Sequence, residues 1–432
     1  MNDSSSAGFG LSGDSLADEL ASIEFWTQPL ESRAARLAEI REIAPFVHTY
    51  QPNPLTLENE WYWLSTRYDD VIEISRRPKE FCSGQGSVSI ADMPTDIMEF
   101  FGSFIVMDDP RHARQRGIVS RNFGPRQLQG LLDSVQHVAD EVIDRFCEQG
   151  EVDLVSAFSE PFPLLIICDM MGIPRSEFDS VLRCTNVILG AGDPDTVGEG
   201  EDLFTALIGA GTELSVLLGE LARDRRANPK DDLTSALVNA EPGEDVLTPE
   251  ELAPFFILLA VAGNDTTRNA ITYGVDFLTR NPDQRAIWQG DIDGVTPTAV
   301  EEIVRMGSPV TFMRRTATCE VTLSGHDFHE GDKVVMLYGA ANRDPREFAD
   351  PERFDVRRSP NNHVGFGGPG PHFCLGAHLA RRELSVAFRT FFNRLGDMEA
   401  TAPAVPLNAL GVPLVSGIKS LPVRFTPSKP LG

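Results

Sequence analysis

The stretch HVGFGGPGPHFCLG, residues 363–376, sets four glycines and two prolines ahead of Cys374, which opens an apolar helix carrying Leu375, Leu379 and Leu384. Glycine lets a backbone run close to a flat ligand and take positive φ without steric cost. A cysteine at a helix N-terminus has its thiolate stabilised by the dipole and by free backbone N–H groups. A thiolate iron ligand needs those conditions, because donors aimed at the sulfur tune its electron push. For an isolated Gly-rich turn, a purely structural cysteine is the commoner case. The fixed spacing Gly368-x-Gly370-x-His372-x-Cys374-x-Gly376 reverses that preference.

Three further places carry chemistry. Upstream, the apolar run FFILLAVAG is followed by Asn264, Asp265, Thr266 and Thr267, unexpected on a buried helix. Threonine can bond the carbonyl four residues back, here Ala262, and such a bond slightly bends a helix. Gly263 makes the bend easier. A polar patch facing buried water is the plain alternative. Glu302 and Arg305 are three apart and share a helix face, so they can pair. A surface ion pair is the ordinary explanation; the Glu302–Arg305 motif gains weight against it from the downstream FADPERF, residues 348–354, which contains Arg353. His112 and Arg116 stand four apart on an expected helix after Asp108-Asp109-Pro110 and can reach one anionic group together. For Arg111, Arg114 and Arg121 an exposed basic face is the better reading.

Composition bounds the rest. With 432 residues, 41% hydrophobic, and no repeat or linker, the chain reads as a disordered polar lead-in over residues 1–25 and a single domain over 26–432. The 64 acidic and 38 basic side chains, net −26, exclude a uniformly basic face for nucleic acid. Six scattered cysteines without a CxxC pair argue against a disulfide framework and fit a cytoplasmic location. The longest apolar run, Leu252 to Gly263, is too short to cross a bilayer, which takes ~20 residues, so no transmembrane segment is expected. Periodicity predicts mostly helix, including an apolar stripe of Leu128, Leu131, Leu132, Val135, Val138 and Val142. A helix should begin near Thr248, where Thr-Pro-Glu-Glu-Leu offers an N-cap and a first-turn proline, and continue to about Arg280. Short strands are expected at Trp61–Leu64, around Val321 and at Val334–Leu337.

With these motifs in this order, the chain resembles the haem-thiolate monooxygenases of the cytochrome P-450 family, in their soluble bacterial form. The family normally has a phenylalanine seven residues before the cysteine. Here Gly367 holds that place and Phe366 stands one residue earlier. The resemblance implies a mainly α fold with small β-sheets, and haem b between a long central helix and the cysteine-ligand helix. It implies Cys374 as the iron ligand, with Ala262, Gly263, Phe366, Gly367, Gly368 and Gly376 beside the haem. His112, Arg116, Arg315 and His372 match residues that bind the propionates. Asp265 and Thr266 match the acid–alcohol pair that relays protons for oxygen–oxygen cleavage. Glu302, Arg305 and Arg353 match a buried structural network.

The implied activity is O2-dependent hydroxylation. No Gly-x-Gly-x-x-Gly occurs between a strand and a helix, so electrons must come from separate proteins; the resemblance implies a ferredoxin and an NAD(P)H-dependent ferredoxin reductase. Family substrate segments map onto Phe100, Phe101, Phe104, Ile105, Phe255, Phe256, Leu259, Val310, Phe312 and Leu414, walls suited to a large apolar molecule, with about half of them expected to be core side chains instead. Phe101-Gly102-Ser103 and Met107 to His112 look most like actinobacterial members that oxidise methyl-branched lipids and sterol side chains. Two rivals stay open. One is a peroxide-driven or non-oxygenating haem enzyme of the same fold, which would not need Asp265 and Thr266. The other is a non-catalytic haem- or ligand-binding protein, which no residue marks.

Overall fold

The computed structural model describes residues 13–53, 56, 58–121, 132–189, 203–239, 245–407 and 412–432. In chain order, the helices used below are α1 (Gly13–Ala21), α2 (Leu30–Ile43), α3 (Tyr68–Arg76), α4 (Thr95–Gly102) and α5 (Arg111–Ser120). They continue with α6 (Pro161–Met171), α7 (Phe178–Leu189), α8 (Leu203–Ala227), α9 (Pro249–Arg280), α10 (Ile292–Gly307) and α11 (Ala377–Arg394).

The axis of the molecule is α9, whose 32 residues at 1.5 Å each span about 48 Å. It starts where the sequence predicts: the Thr248 N–H donates to the Glu251 carboxylate at 2.9 Å, closing half of a capping box. The helices α6, α8, α10 and α11 pack around it. Buried along nearly its whole length, α6 has the all-round apolar sequence PFPLLIICDMM of a core helix.

The main sheet comprises β1 (Phe46–Pro52), β2 (Asn59–Ser65), β3 (Phe81–Cys82), β4 (Phe312–Ala317) and β5 (Lys333–Leu337), in the order β1-β2-β5-β4-β3. β2 and β5 run parallel with Trp63 opposite Val334, and β4 lies antiparallel to β5 with Arg315 opposite Val334. Val321 pairs with Phe328 in a separate hairpin. The strand expectations therefore hold.

One expectation needs correction. From Gly13 onward the lead-in is not disordered: α1 packs on β1, and Leu16 and Leu20 are buried beside Val47 and Trp26. Their spacing of four is a helical stripe that the Ser, Gly and Asp around it disguise. Residues 1–12 lie outside the described residues. Within α8, Phe204–Ala227 is long and apolar enough to cross a membrane by length and composition; it packs on α7 and α9. Of the stripe proposed from Leu128 to Val142, Leu128 and Leu131 lie outside the described residues, and Val135, Val138 and Val142 are buried.

Candidate functional site

The 363–376 loop is tied down at both ends. Gly367 takes φ +87°, a conformation that suits glycine. A side chain at 367, where the family normally carries phenylalanine, would be strained in that conformation. The Phe366 carbonyl accepts the Cys374 N–H at 2.9 Å, and its ring lies 4.4 Å from the Arg381 guanidinium. Arg381 also pairs with Glu301 (2.6 and 2.9 Å), which His363 meets at 3.0 Å. These neighbours outweigh burial and hold the Glu301 carboxyl down at about 2. Glycine is also required at 368 and 370, where a Cβ would lie 2.4 Å from Ser75 Oγ and 2.3 Å from the Ser75 carbonyl of α3. α11 begins at Ala377, three residues later than the cysteine expected to open it. Burial pushes the Cys374 thiol up, against the Gly376 and Ala377 N–H groups and the charges of Arg116 and Arg381.

Cys374 lines a cavity enclosing about 1430 Å³, mouth included, with Ala262, Gly263 and Thr266 of α9 also in its wall. In its wall Arg116, Arg315 and His372 meet no carboxylate among the described residues. His112 is buried with Nε2 unpartnered, its ring 4.1 Å from that of His372. His372 Nε2 is 3.1 Å from Ser83 Oγ. Burial, with Arg315 and His112 close by, pushes His372 down to about 2. Arg315 donates to the Arg314 carbonyl and meets no carboxylate among the described residues. A buried donor set short of acceptors fits a ligand bearing carboxylates, as haem does. Arg116 also lines the cavity, but it donates to the Phe373 carbonyl beside Cys374.

On α9, Thr266 Oγ1 donates to the Ala262 carbonyl at 2.8 Å, the expected bond. Asp265 is buried outside the cavity wall, 3.6 Å from Arg268, which in turn lies 3.2 Å from Glu160. Burial, opposed by Arg268, pushes Asp265 up to about 6. Gly263 has a second purpose, since a Cβ there would lie 2.7 Å from Ile167 Cδ1 of α6. Sequence reasoning missed Glu383 altogether. It is fully buried, accepts from Thr267 Oγ1 at 3.1 Å, and is pushed up to about 8 by burial. A charged residue inside the apolar pattern of α11 was the available signal.

The structural network forms with a changed member. Arg305 and Glu302, both 0% exposed, pair at 2.7 and 2.8 Å. Arg305 also reaches the carbonyls of Asn342 and Pro351, each at 2.8 Å. Asn342 Oδ1 accepts the Val364 N–H at 2.7 Å, carrying the network into the cysteine loop. The third side chain is Arg358, not Arg353: Arg353 is exposed and contributes only its carbonyl, at 3.2 Å from Arg305.

Of the expected pocket residues, Phe104, Leu259 and Val310 line the cavity. Phe256 and Phe312 are core side chains, Phe100 packs toward Gly211 of α8, and Leu414 packs against the cluster around β2. Of the adjacent candidates Phe255 and Phe256 only Phe255 lines the cavity, because neighbouring helical positions differ by about 100°. Ile105, Ile167, Leu258 and Met313 complete the apolar wall.

The cytochrome P450 family model matches residues 219–396. The chain is 45% identical over 415 residues to the methyl-branched lipid omega-hydroxylase of Mycobacterium tuberculosis, covering 94% of each. It is 35% identical over 366 residues to the steroid C26-monooxygenase of Rhodococcus jostii, covering 84% of this chain and 76% of that one. The solved structure of a Mycobacterium marinum cytochrome P-450 with pseudoionone superposes with a TM-score of 0.86 at 38% identity, covering 94% and 98%. Fold, cavity and relatives agree: this chain belongs to the cytochrome P-450 family of haem b monooxygenases.

Proposed function

We propose that the enzyme hydroxylates the apolar end of a methyl-branched lipid or a sterol side chain, with electrons from a ferredoxin and an NAD(P)H-dependent ferredoxin reductase. Haem b with a thiolate ligand supplies O2 activation and C–H oxidation when bound. The observation that carries the reading is the division of the cavity wall. Its polar side chains are the thiolate (Cys374), the cradle (Arg116, His372, Arg315, with Tyr338 beside Gly367) and the hydroxyls and carboxyl of Thr266, Thr267 and Glu383. The rest of the wall, including Phe104, Ile105, Ile167, Phe255, Leu258, Leu259, Val310 and Met313, is apolar. A hydrocarbon end is therefore admitted, while a charged headgroup finds no partner there. The relatives named for lipid and steroid oxidation point the same way.

In this reading Cys374 holds the iron, and His112, His372 and Arg315 take the propionates, with Arg116 at the cavity's edge. Thr266 holds a proton at the cavity wall, and Asp265, buried beside Arg268, resupplies it. The chain from Gly13 onward serves as one catalytic domain in the cytoplasm, where six free cysteines are at home. The test is turnover of branched fatty acids and sterols with ferredoxin, its reductase and NAD(P)H, followed by product analysis. Terminal hydroxylation supports the assignment. Binding without product under full reduction, or full-rate turnover with peroxide alone, overturns it.

A further inference from the structure

A second, smaller cavity, enclosing about 390 Å³ mouth included, lies where α2 meets the end of α10, lined among others by Trp26, Arg33, Ser308, Thr311, Arg343 and Ser416. Arg33 is 7% exposed and Thr311 6%. Arg33 Nε and Thr311 Oγ1 have no hydrogen-bond partner among the described residues. The nearby acids are committed elsewhere: Glu31 pairs with Arg280, Glu352 with Arg343, and Glu302 with Arg305 and Arg358. Arg41, also buried, donates to the carbonyls of Thr66, Arg343 and Ala340. A chain with net charge −26 thus keeps a buried guanidinium here without a carboxylate. Guanidinium does not shed its proton in proteins, and a buried charge without a partner is costly. A counter-ion in the adjoining cavity removes that cost.

We propose that this cavity binds a small monovalent inorganic anion of the halide class, held by the Arg33 guanidinium and the Thr311 hydroxyl. A halide accepts hydrogen bonds and requires none in return, which matches an Nε–H and a hydroxyl that both lack acceptors. Water in the cavity would satisfy the hydroxyl but leave the charge uncompensated. The anion joins α2 to the Gly307–Thr311 segment that follows α10. Its effect is on stability rather than turnover.

The test follows unfolding of the holoenzyme in sodium bromide against sodium gluconate at constant ionic strength. The wild type should show a saturable rise in Tm, its unfolding equilibrium shifted about tenfold at ten times Kd. Arg33→Met should remove the saturable part, and Thr311→Val should weaken the bromide affinity. Crystals grown in bromide should show an anomalous peak in contact with Arg33. Equal bromide responses in the wild type and Arg33→Met, or ordered water without an anomalous peak, overturn the assignment. If Arg33→Met does not fold, the Thr311→Val titration and the anomalous map decide it.

Discussion

Arg358 Nε lies 3.1 Å from both carboxylate oxygens of Glu302, a residue with no exposed surface. Glu302 also accepts from Arg305, the Asp355 N–H at 2.9 Å and Asn361 at 3.1 Å. Removing Arg358 leaves part of a buried charge unanswered. Arg358→Ala should therefore cost about 1.5–3 kcal/mol in chemical denaturation. Arg353→Ala, which removes only an exposed side chain, should stay within about 0.5 kcal/mol. The opposite ranking would restore Arg353 to the network.

That pair also shows where sequence reading stops. The cysteine loop is legible because its demands are local: Gly367 needs positive φ, and Gly368 and Gly370 must pass Ser75. Thr266 and its Ala262 acceptor are legible for the same reason, being one helical turn apart. The choice between Arg353 and Arg358 is tertiary. It depends on how an aperiodic loop folds over α10, and five residues of spacing carry no rule for that. The buried pairing of Thr267 with Glu383 joins helices 116 positions apart. The helix α1 was hidden for a different reason, its two core leucines being diluted by small polar neighbours.

Cys374→Ala removes the sulfur that the Gly376 and Ala377 N–H groups face. The reduced, carbon monoxide-treated protein should lose its Soret band near ~450 nm, the mark of thiolate ligation. A retained band would place the ligand elsewhere.

Thr266 and Asp265 should fail differently. Thr266→Ala leaves Asp265 in place but removes the hydroxyl on the cavity wall, so electrons should be consumed while peroxide forms instead of product. Asp265→Asn removes the resupply, and turnover should fall about a hundredfold, the lower end for general acid–base groups. Below about pH 6 the Asp265 carboxyl is protonated and above it ionised beside Arg268, so the wild-type rate should show an inflection there that Asp265→Asn lacks. Peroxide yield and product, measured against NAD(P)H consumed, separate the two variants.

Glu383 makes a pH prediction with a definite sign. Its folded-state value, about 8, stands above the ordinary 4.5. Its contribution to stability is therefore fully present below pH 4.5 and is lost as pH rises through 8. Glu383→Gln keeps the shape and the Thr267 bond without the titration. The Tm of the holoenzyme, followed from about pH 5 to about pH 9, should decline less in the variant. Parallel curves would mean that Glu383 stays ionised in the folded protein.

The adjacent rings of Phe255 and Phe256 separate pocket from core. Phe255 lines the cavity, while Phe256 is wholly buried in the main cluster. Phe256→Ala opens a void in packed interior and should cost about 3–5 kcal/mol. Phe255→Ala enlarges space already present, so its main effect should fall on substrate: weaker binding of a slim chain, or oxidation shifted along it. Denaturation midpoints and the product distribution from a branched fatty acid check the pair. If Phe255→Ala leaves both binding and product position unchanged, the substrate lies against another part of the wall, with Ile167 and Met313 next to be tested.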